Sequence, residues 1–207
     1  MSYAAQDFAR DTNVSRETLA DYRRWQELLL KWNRQINLVS PAAIGDFWQR
    51  HALDSWQITP HVPEKAKKFI DLGSGAGFPA IALAIDCKYK GWGEVQMVES
   101  AGKKASFLRA VIRELDLPAQ VSSERAEALP AKAYDVISAR AFAPLPRLMA
   151  YAQPFWGQGS VGLFLKGENI NSELTEASKS WNYDAKAISS RSDTTGSLLK
   201  VTHLCAK

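Results

Sequence analysis

A chain of 207 residues, 46% of them hydrophobic, can bury one sizeable core but has little left for a separate substrate domain, which disfavours a typical dehydrogenase. Its formal net charge of +4 points toward a polyanionic partner more than a cationic one. Its two cysteines, Cys87 and Cys205, lack metal-ligand spacing and suit a reducing compartment. The polar stretch Met1–Asn13 has no run apolar enough for a signal peptide or membrane helix, so the expected setting is cytoplasmic, with no membrane and no metal.

In chain order, Leu19, Tyr22, Trp25, Leu29, Trp32 and Ile36 recur at steps of three or four, predicting one amphipathic helix over 15–36 begun by Ser15. Ser40-Pro41 starts a second helix, in which Ile44, Phe47 and Trp48 repeat the period. Trp25, Trp32 and Trp48 thus stand at core spacing rather than as base-stacking platforms. The prolines of Thr59-Pro60-His61-Val62-Pro63 then separate an N-terminal helical cap, 1–62, from a second unit, 63–207. In that unit short apolar runs alternate with helical stretches, as in a parallel sheet covered on both faces. Strands are expected near 68–72, 94–98, 119–122, 134–138, 160–165, 183–188 and 198–204. The clearest helix is Lys103–Leu115, with Phe107, Val111 and Leu115 inward and Lys103, Lys104, Arg109 and Arg113 outward. Only the short polar link Ser189–Ser197 joins the last two strands, which must therefore pair antiparallel.

The most informative run is Phe69-Ile70-Asp71-Leu72-Gly73-Ser74-Gly75-Ala76-Gly77-Phe78-Pro79, a buried strand, a glycine turn and an apolar helix in succession. A helix starting near Gly77 would aim unpaired N–H groups and its positive dipole end at the turn. Glu99 closes the next strand, where its carboxylate can accept from both hydroxyls of a ribose. Dinucleotides and S-adenosylmethionine both carry such a ribose. A dinucleotide fingerprint spaces its glycines G-x-G-x-x-G, whereas this chain has G-x-G-x-G; the shorter turn, preceded by Asp71, resembles the first motif of the Rossmann-like methyltransferases, and that resemblance favours S-adenosylmethionine over NAD. A turn with no ligand is the bland alternative, and Glu99 weakens it. The fold class expected is α/β: a Rossmann-like seven-stranded methyltransferase sheet, its last strand pair antiparallel, with an N-terminal helical cap.

Further segments narrow the reading. Trp32-Asn33-x-x-Ile36-Asn37-Leu38, Arg50-His51-x-Leu53-Asp54-Ser55, the glycine run, Gly102-Lys103-Lys104 and Ser138-Ala139-Arg140-Ala141-Phe142-Ala143 together resemble the small-subunit ribosomal RNA methyltransferase G family, also called glucose-inhibited division protein B. The resemblance runs from about Leu28 to Gly167. It implies methylation of guanine N7 in the decoding-region (530) loop of 16S ribosomal RNA, with S-adenosylmethionine as methyl donor and the RNA or a small-subunit particle as partner. It also implies donor contacts at Gly73, Gly75, Phe78, Ala126, Glu127 and Arg140, with Glu99 as the ribose acid. The chain departs from the family where Ala139 precedes Arg140, a place often held by serine, and in the tail after Lys166-Gly167. The rival readings are a methyltransferase of the same fold acting on another RNA, a protein or a small molecule, an NAD-dependent reductase, and a non-catalytic RNA-binding module.

Guanine N7 has an in-plane lone pair and no proton, so its methylation needs no general base. In keeping with this, the chain lacks the Asn/Asp-Pro-Pro-aromatic tetrad used on exocyclic amines and the paired cysteines used on pyrimidine carbon. No conventional catalytic residue is expected; positioning is the main device, and Arg140 is the best single candidate. RNA contacts are expected from Arg125, Arg140, Lys103 and Lys166 at the carboxyl edge of the sheet, with Arg10, Arg23, Arg24 and Arg34 extending that surface. Arg50 and His51 are candidates to reach the target, although a helical histidine is more often a packed one, and Asp54 is expected to pair with either of them.

Overall fold

The computed structural model describes residues 3–207. Helix α1 (Ala5–Thr12) precedes α2 (Arg16–Ile36), whose first turn is capped by Ser15: its Oγ accepts the Thr18 N–H at 3.1 Å. Left-handed Asn37 ends α2, and the Asn33 side-chain amide clamps the following loop by pairing both polar groups with the Val39 backbone. The expected single helix from Pro41 is instead broken. Helix α3 (Pro41–Gly45) stops before Asp46, a π-helix follows over Phe47–Leu53, and α4 (Asp54–Trp56) completes the segment. The wider π turn buries Phe47, Trp48, His51, Ala52 and Leu53 together while Gln49 and Arg50 stay exposed.

Seven strands form one sheet: β1 (Lys68–Leu72), β2 (Glu94–Val98), β3 (Ala119–Ser122), β4 (Tyr134–Arg140), β5 (Trp156–Lys166), β6 (Trp181–Ser189) and β7 (Ser197–Ala206). Their spatial order is β3-β2-β1-β4-β5-β7-β6, parallel except for β7, which runs antiparallel to both neighbours. Between the strands lie α5 (Ala80–Lys90), α6 (Gly102–Leu115), α7 (Leu145–Ala152) and α8 (Ile170–Ala177).

Alternation along each strand sends side chains to two cores. Phe69, Val95, Val136 and Leu163 meet α5, α6 and the N-terminal aromatics Phe8, Tyr22, Trp25 and Phe47. Ile70, Val98, Ile137 and Phe164 meet Leu148 and Met149 of α7 and Ile170 of α8 on the other face. The N-terminal helices thus share one continuous core with the sheet. Trp25 is fully buried and stands 5.0 Å from the Phe78 ring beyond the glycine turn. No helix of the described residues is long and apolar enough to cross a membrane.

The strand order reverses between β1 and β4, which lie side by side with β2 and β5 beyond them. In a doubly wound sheet the crevice outside the carboxyl ends at such a switch point is where ligands bind.

Candidate active site

The turn after β1 follows from its glycines. Gly73 has φ +70° and Gly77 has φ +90°, both in the left-handed region. A Cβ on Gly73 would strike the Phe142 ring after β4, and one on Gly77 would strike Ile81 of α5. Gly73 thus admits a close aromatic neighbour, and Gly77 packs helix against strand. The helix begins at Ala80, not near Gly77, and three of the turn's N–H groups are already engaged. Ser74 N–H donates to the Val98 carbonyl, Gly75 N–H to Glu99, and Gly77 N–H to the Ser74 carbonyl. With these three donors engaged within the protein, that part of the turn presents a shape more than a charge.

Beneath it, Asp71 of β1 faces Ser138 of β4, and the Ser138 hydroxyl donates to Asp71 Oδ1 at 2.6 Å. Burial raises the Asp71 pKa to about 6 against the hydrogen bond from Ser138; the Ser74 hydroxyl donates to the Asp71 main-chain carbonyl at 3.2 Å, and Asp71 Oδ2 has no partner among the described residues.

Glu99 stands at the end of β2, its residue 8% exposed, with the carboxylate turned into the turn. Oε2 accepts the Gly75 N–H at 2.9 Å and Oε1 the Ala101 N–H at 2.7 Å. Each oxygen keeps a lone pair, so the acid can hold its own turn and still receive a pair of hydroxyls. A cleft of about 390 Å³ opens against it, within the size range of small-molecule sites. Gly73, Gly75 and Glu99 form one side of the cleft; Arg125, Ala126 and Glu127, from the loop after β3, form another, with Ala126–Ala128 folded as a short 3-10 turn. Phe142, Arg147 and Tyr151 are among the other lining residues. Composition alone did not single these three out. The aromatic at Phe142 just past a strand end was the available signal, and the Arg147–Tyr151 pair at helical spacing joins through the phenol oxygen at 2.7 Å.

The remaining candidates lie elsewhere. Phe78 does not line the cleft: it is buried at 5% exposure, stacked on His51 with centroids 4.2 Å apart and the rings within 11° of parallel. Arg140 faces the other side of Ala141, into a second cavity of about 600 Å³ that also takes in Arg50 and His51. There its Nη1 bonds Asp54 Oδ2 at 2.9 Å, so Asp54 pairs with Arg140 and not, as the local spacing suggested, with Arg50 or His51. A guanidinium can only donate, so the 3.1 Å contact from Arg140 Nη2 makes His51 Nδ1 an acceptor. Burial, then the charges of Arg140 and Arg50, lower the His51 pKa to about 3, keeping the ring neutral.

Lys166 is not a free cation: its Nζ lies 2.6 Å from Glu173 of α8 and donates to the Ala143 carbonyl. Arg10 is held by Asp7 and Asp11, and Arg24 by Glu27 and Glu114. Arg125, Lys103, Arg23, Arg34 and Arg50 are exposed. Cys87 is buried, with its thiol pushed up to about 12 by desolvation, and Cys205 is exposed at the far end of β7. Among the described residues no group of three or more His, Cys, Asp or Glu side chains could hold a metal.

Comparison with solved structures supports the architecture. A SAM-dependent methyltransferase from Aquifex aeolicus matches with a TM-score of 0.56 at 12% identity, over 72% of this chain and 89% of that one. The fibrillarin/Nop5p complex gives 0.56 at 15% identity, over 74% and 81%. At sequence level the chain is 46% identical over 202 residues to the ribosomal RNA small subunit methyltransferase G of Parvibaculum lavamentivorans, covering 97% of this chain and 89% of that protein. It is 44% identical over 186 residues to its namesake in Caulobacter vibrioides, covering 90% and 85%. The family model for rRNA small subunit methyltransferase G matches residues 18–197. The chain therefore belongs to the rRNA small subunit methyltransferase G family.

Proposed function

We propose that this chain transfers the methyl group of S-adenosylmethionine to N7 of a guanine in the decoding-region loop of 16S ribosomal RNA. The observation that carries the proposal is Glu99, anchored by two backbone N–H groups at the wall of a cleft between the glycine turn and the Ala126–Glu127 turn. The residues present suit the donor. Glu99 has spare lone pairs for the ribose hydroxyls, Ala126 and Glu127 are suited to flank the adenine, and Gly75 leaves the backbone side open for the methionine portion.

When bound, the donor supplies an electrophilic methyl carbon on sulfur. The chain's own part is geometric. N7 needs no deprotonation, so the reaction asks no general base of the junction. His51 is neutral with Nδ1 committed to Arg140, and both oxygens of Glu99 already accept backbone N–H bonds. Orientation of the guanine against the methyl carbon can supply most of the acceleration, since well-placed reactants gain about 7–11 kcal/mol from proximity. Arg140 stands at the end of β4, where the donor cleft and the second cavity share Ala141, so its fork can meet a phosphate or carboxylate oxygen at that junction.

Exposed Arg125, Lys103 and Arg50 rim this carboxyl edge and supply sequence-independent attraction to RNA. The partner is the small ribosomal subunit or an assembly intermediate, and the setting is the cytoplasm. The test is transfer of a labelled methyl group from S-adenosylmethionine into purified small subunits and into bulk protein. Label in the 16S RNA alone supports the reading; label in protein, or none, contradicts it.

A further inference from the structure

Arg140 is held more firmly than a strand-end arginine needs to be. Its Nη1 donates to Asp54 Oδ2 at 2.9 Å and to the Arg50 carbonyl at 3.1 Å, and its Nη2 donates to His51 Nδ1 at 3.1 Å. Its Cζ lies 4.6 Å from the Phe78 ring centroid, so an aromatic face supports the guanidinium as well. Of five N–H donors, three are used; the Nε–H and one Nη2 hydrogen have no acceptor among the described residues.

Asp54, by contrast, has three of its four acceptor sites filled from within the protein. Oδ2 takes Arg140, while Oδ1 accepts the Ser192 hydroxyl at 2.7 Å and the Gln57 amide at 2.8 Å. Gln57 in turn accepts the Arg191 N–H at 2.9 Å and donates to the Ser190 hydroxyl at 3.2 Å. Ser190, Arg191 and Ser192 form the tip between β6 and β7. One carboxylate therefore joins the N-terminal helical segment, the end of β4 and the β6–β7 tip, each from a distant part of the chain. Both partners of the ion pair are only partly exposed, 20% for Arg140 and 17% for Asp54, so the pair is screened less than a surface one.

We propose that Asp54 is a positioning residue for methyl transfer: it locks the Arg140 guanidinium so that its two unused donors face the acceptor nucleotide, and it ties that aim to the β6–β7 tip. This rests on the methyltransferase reading above. Without the carboxylate, Arg140 keeps its charge but regains the rotational freedom of a long side chain, so the contact is made in the wrong place more often than it is missed.

Two measurements test it. Nitrogen NMR of the Arg140 guanidinium, assigned with Arg140→Lys, reads its rotation directly in the absence of RNA. Slow rotation with resolved Nη protons in the wild type, lost in Asp54→Asn, is the expected result. Free rotation in the wild type, or no change in Asp54→Asn, overturns the proposal. The second is a kinetic cycle of Asp54→Asn, Arg140→Ala and the double variant on small subunits, with S-adenosylhomocysteine affinity as a check on the fold. Asp54→Asn should lower kcat/KM roughly tenfold to a hundredfold, and the double variant should be no worse than Arg140→Ala alone. Fully additive losses would mean that Asp54 acts independently of Arg140 and overturn the proposal. A wild type that methylates no small-subunit RNA would instead defeat the functional reading, while the NMR result would still decide whether Asp54 fixes Arg140.

Discussion

Glu99 and Gly75 are joined by a 2.9 Å hydrogen bond from the turn's N–H to the carboxylate, so the second strand's acid builds the first strand's loop as well as facing the cleft. Replacing Glu99 with glutamine keeps the volume but sets an amide donor against one of two backbone N–H groups. Losing a charged hydrogen bond of this kind costs about 1.5–3 kcal/mol. Calorimetry should therefore show S-adenosylhomocysteine binding weakened by at least about tenfold in Glu99→Gln. Unchanged affinity would remove Glu99 from the donor site.

Gly77 is the glycine whose substitution should be felt in the fold. Its φ of +90° disfavours any side chain, and an added Cβ runs into Ile81. Left-handed strain and overpacking each cost about 1–2 kcal/mol or more, so Gly77→Ala should lower the Tm clearly in thermal unfolding. A Tm within a degree or so of the wild type would contradict this packing role.

Asp71 carries a pH signature. Burial, with the Glu99 charge adding to it and Arg140 opposing, places its folded pKa at about 6 against an ordinary 3.8. Between these values the folded chain binds more protons than the unfolded one, so this group's contribution to stability is full below about 3.8 and declines as pH rises toward 6. Asp71→Asn keeps an acceptor for the Ser138 hydroxyl and removes the titration. The wild type minus Asp71→Asn difference in unfolding free energy should therefore fall across that window and flatten above it. A flat difference throughout would contradict the burial assignment.

Arg125 and Lys166 should behave differently although both are basic residues near the site. Exposed Arg125 lines the cleft beside Glu99, so Arg125→Ala should weaken small-subunit binding and reduce its salt dependence by about one counterion. Lys166 is tied to Glu173, which also accepts the Leu145 N–H at 2.6 Å, so Lys166→Ala should loosen the join between β5, α7 and α8. Its expected mark is a lower Tm with the salt slope unchanged. Filter-binding titrations at several salt concentrations, with melts alongside, separate the two.

Much of the architecture could be read from the residues because local chemistry and tertiary packing agree. Each expected strand is present, and Ser15 caps α2 as its side chain suggested. Most of what was missed has no local signal. Strand β5 starts at Trp156 rather than 160, through the glycine-rich Gly157-Gln158-Gly159 that carries no apolar alternation. Helix α1 buries only Ala5, Phe8 and Thr12, too few for a visible period. The insertion of β7 between β5 and β6 is settled by tertiary pairing, since a hairpin's sequence does not say which arm joins the sheet. In the site, the Glu99 side was legible because strand ends and glycines mark it. The Arg140–Asp54 pair was not, because its two members are 86 residues apart and meet only after the π-helix docks.

The most direct measurement is mass mapping of 16S RNA from cells with and without this chain. A guanine in the decoding-region loop should carry an N7-methyl group in the first and lose it in the second, and purified chain with S-adenosylmethionine should restore it to the unmodified subunits. An identical modification pattern in both RNAs would contradict the account.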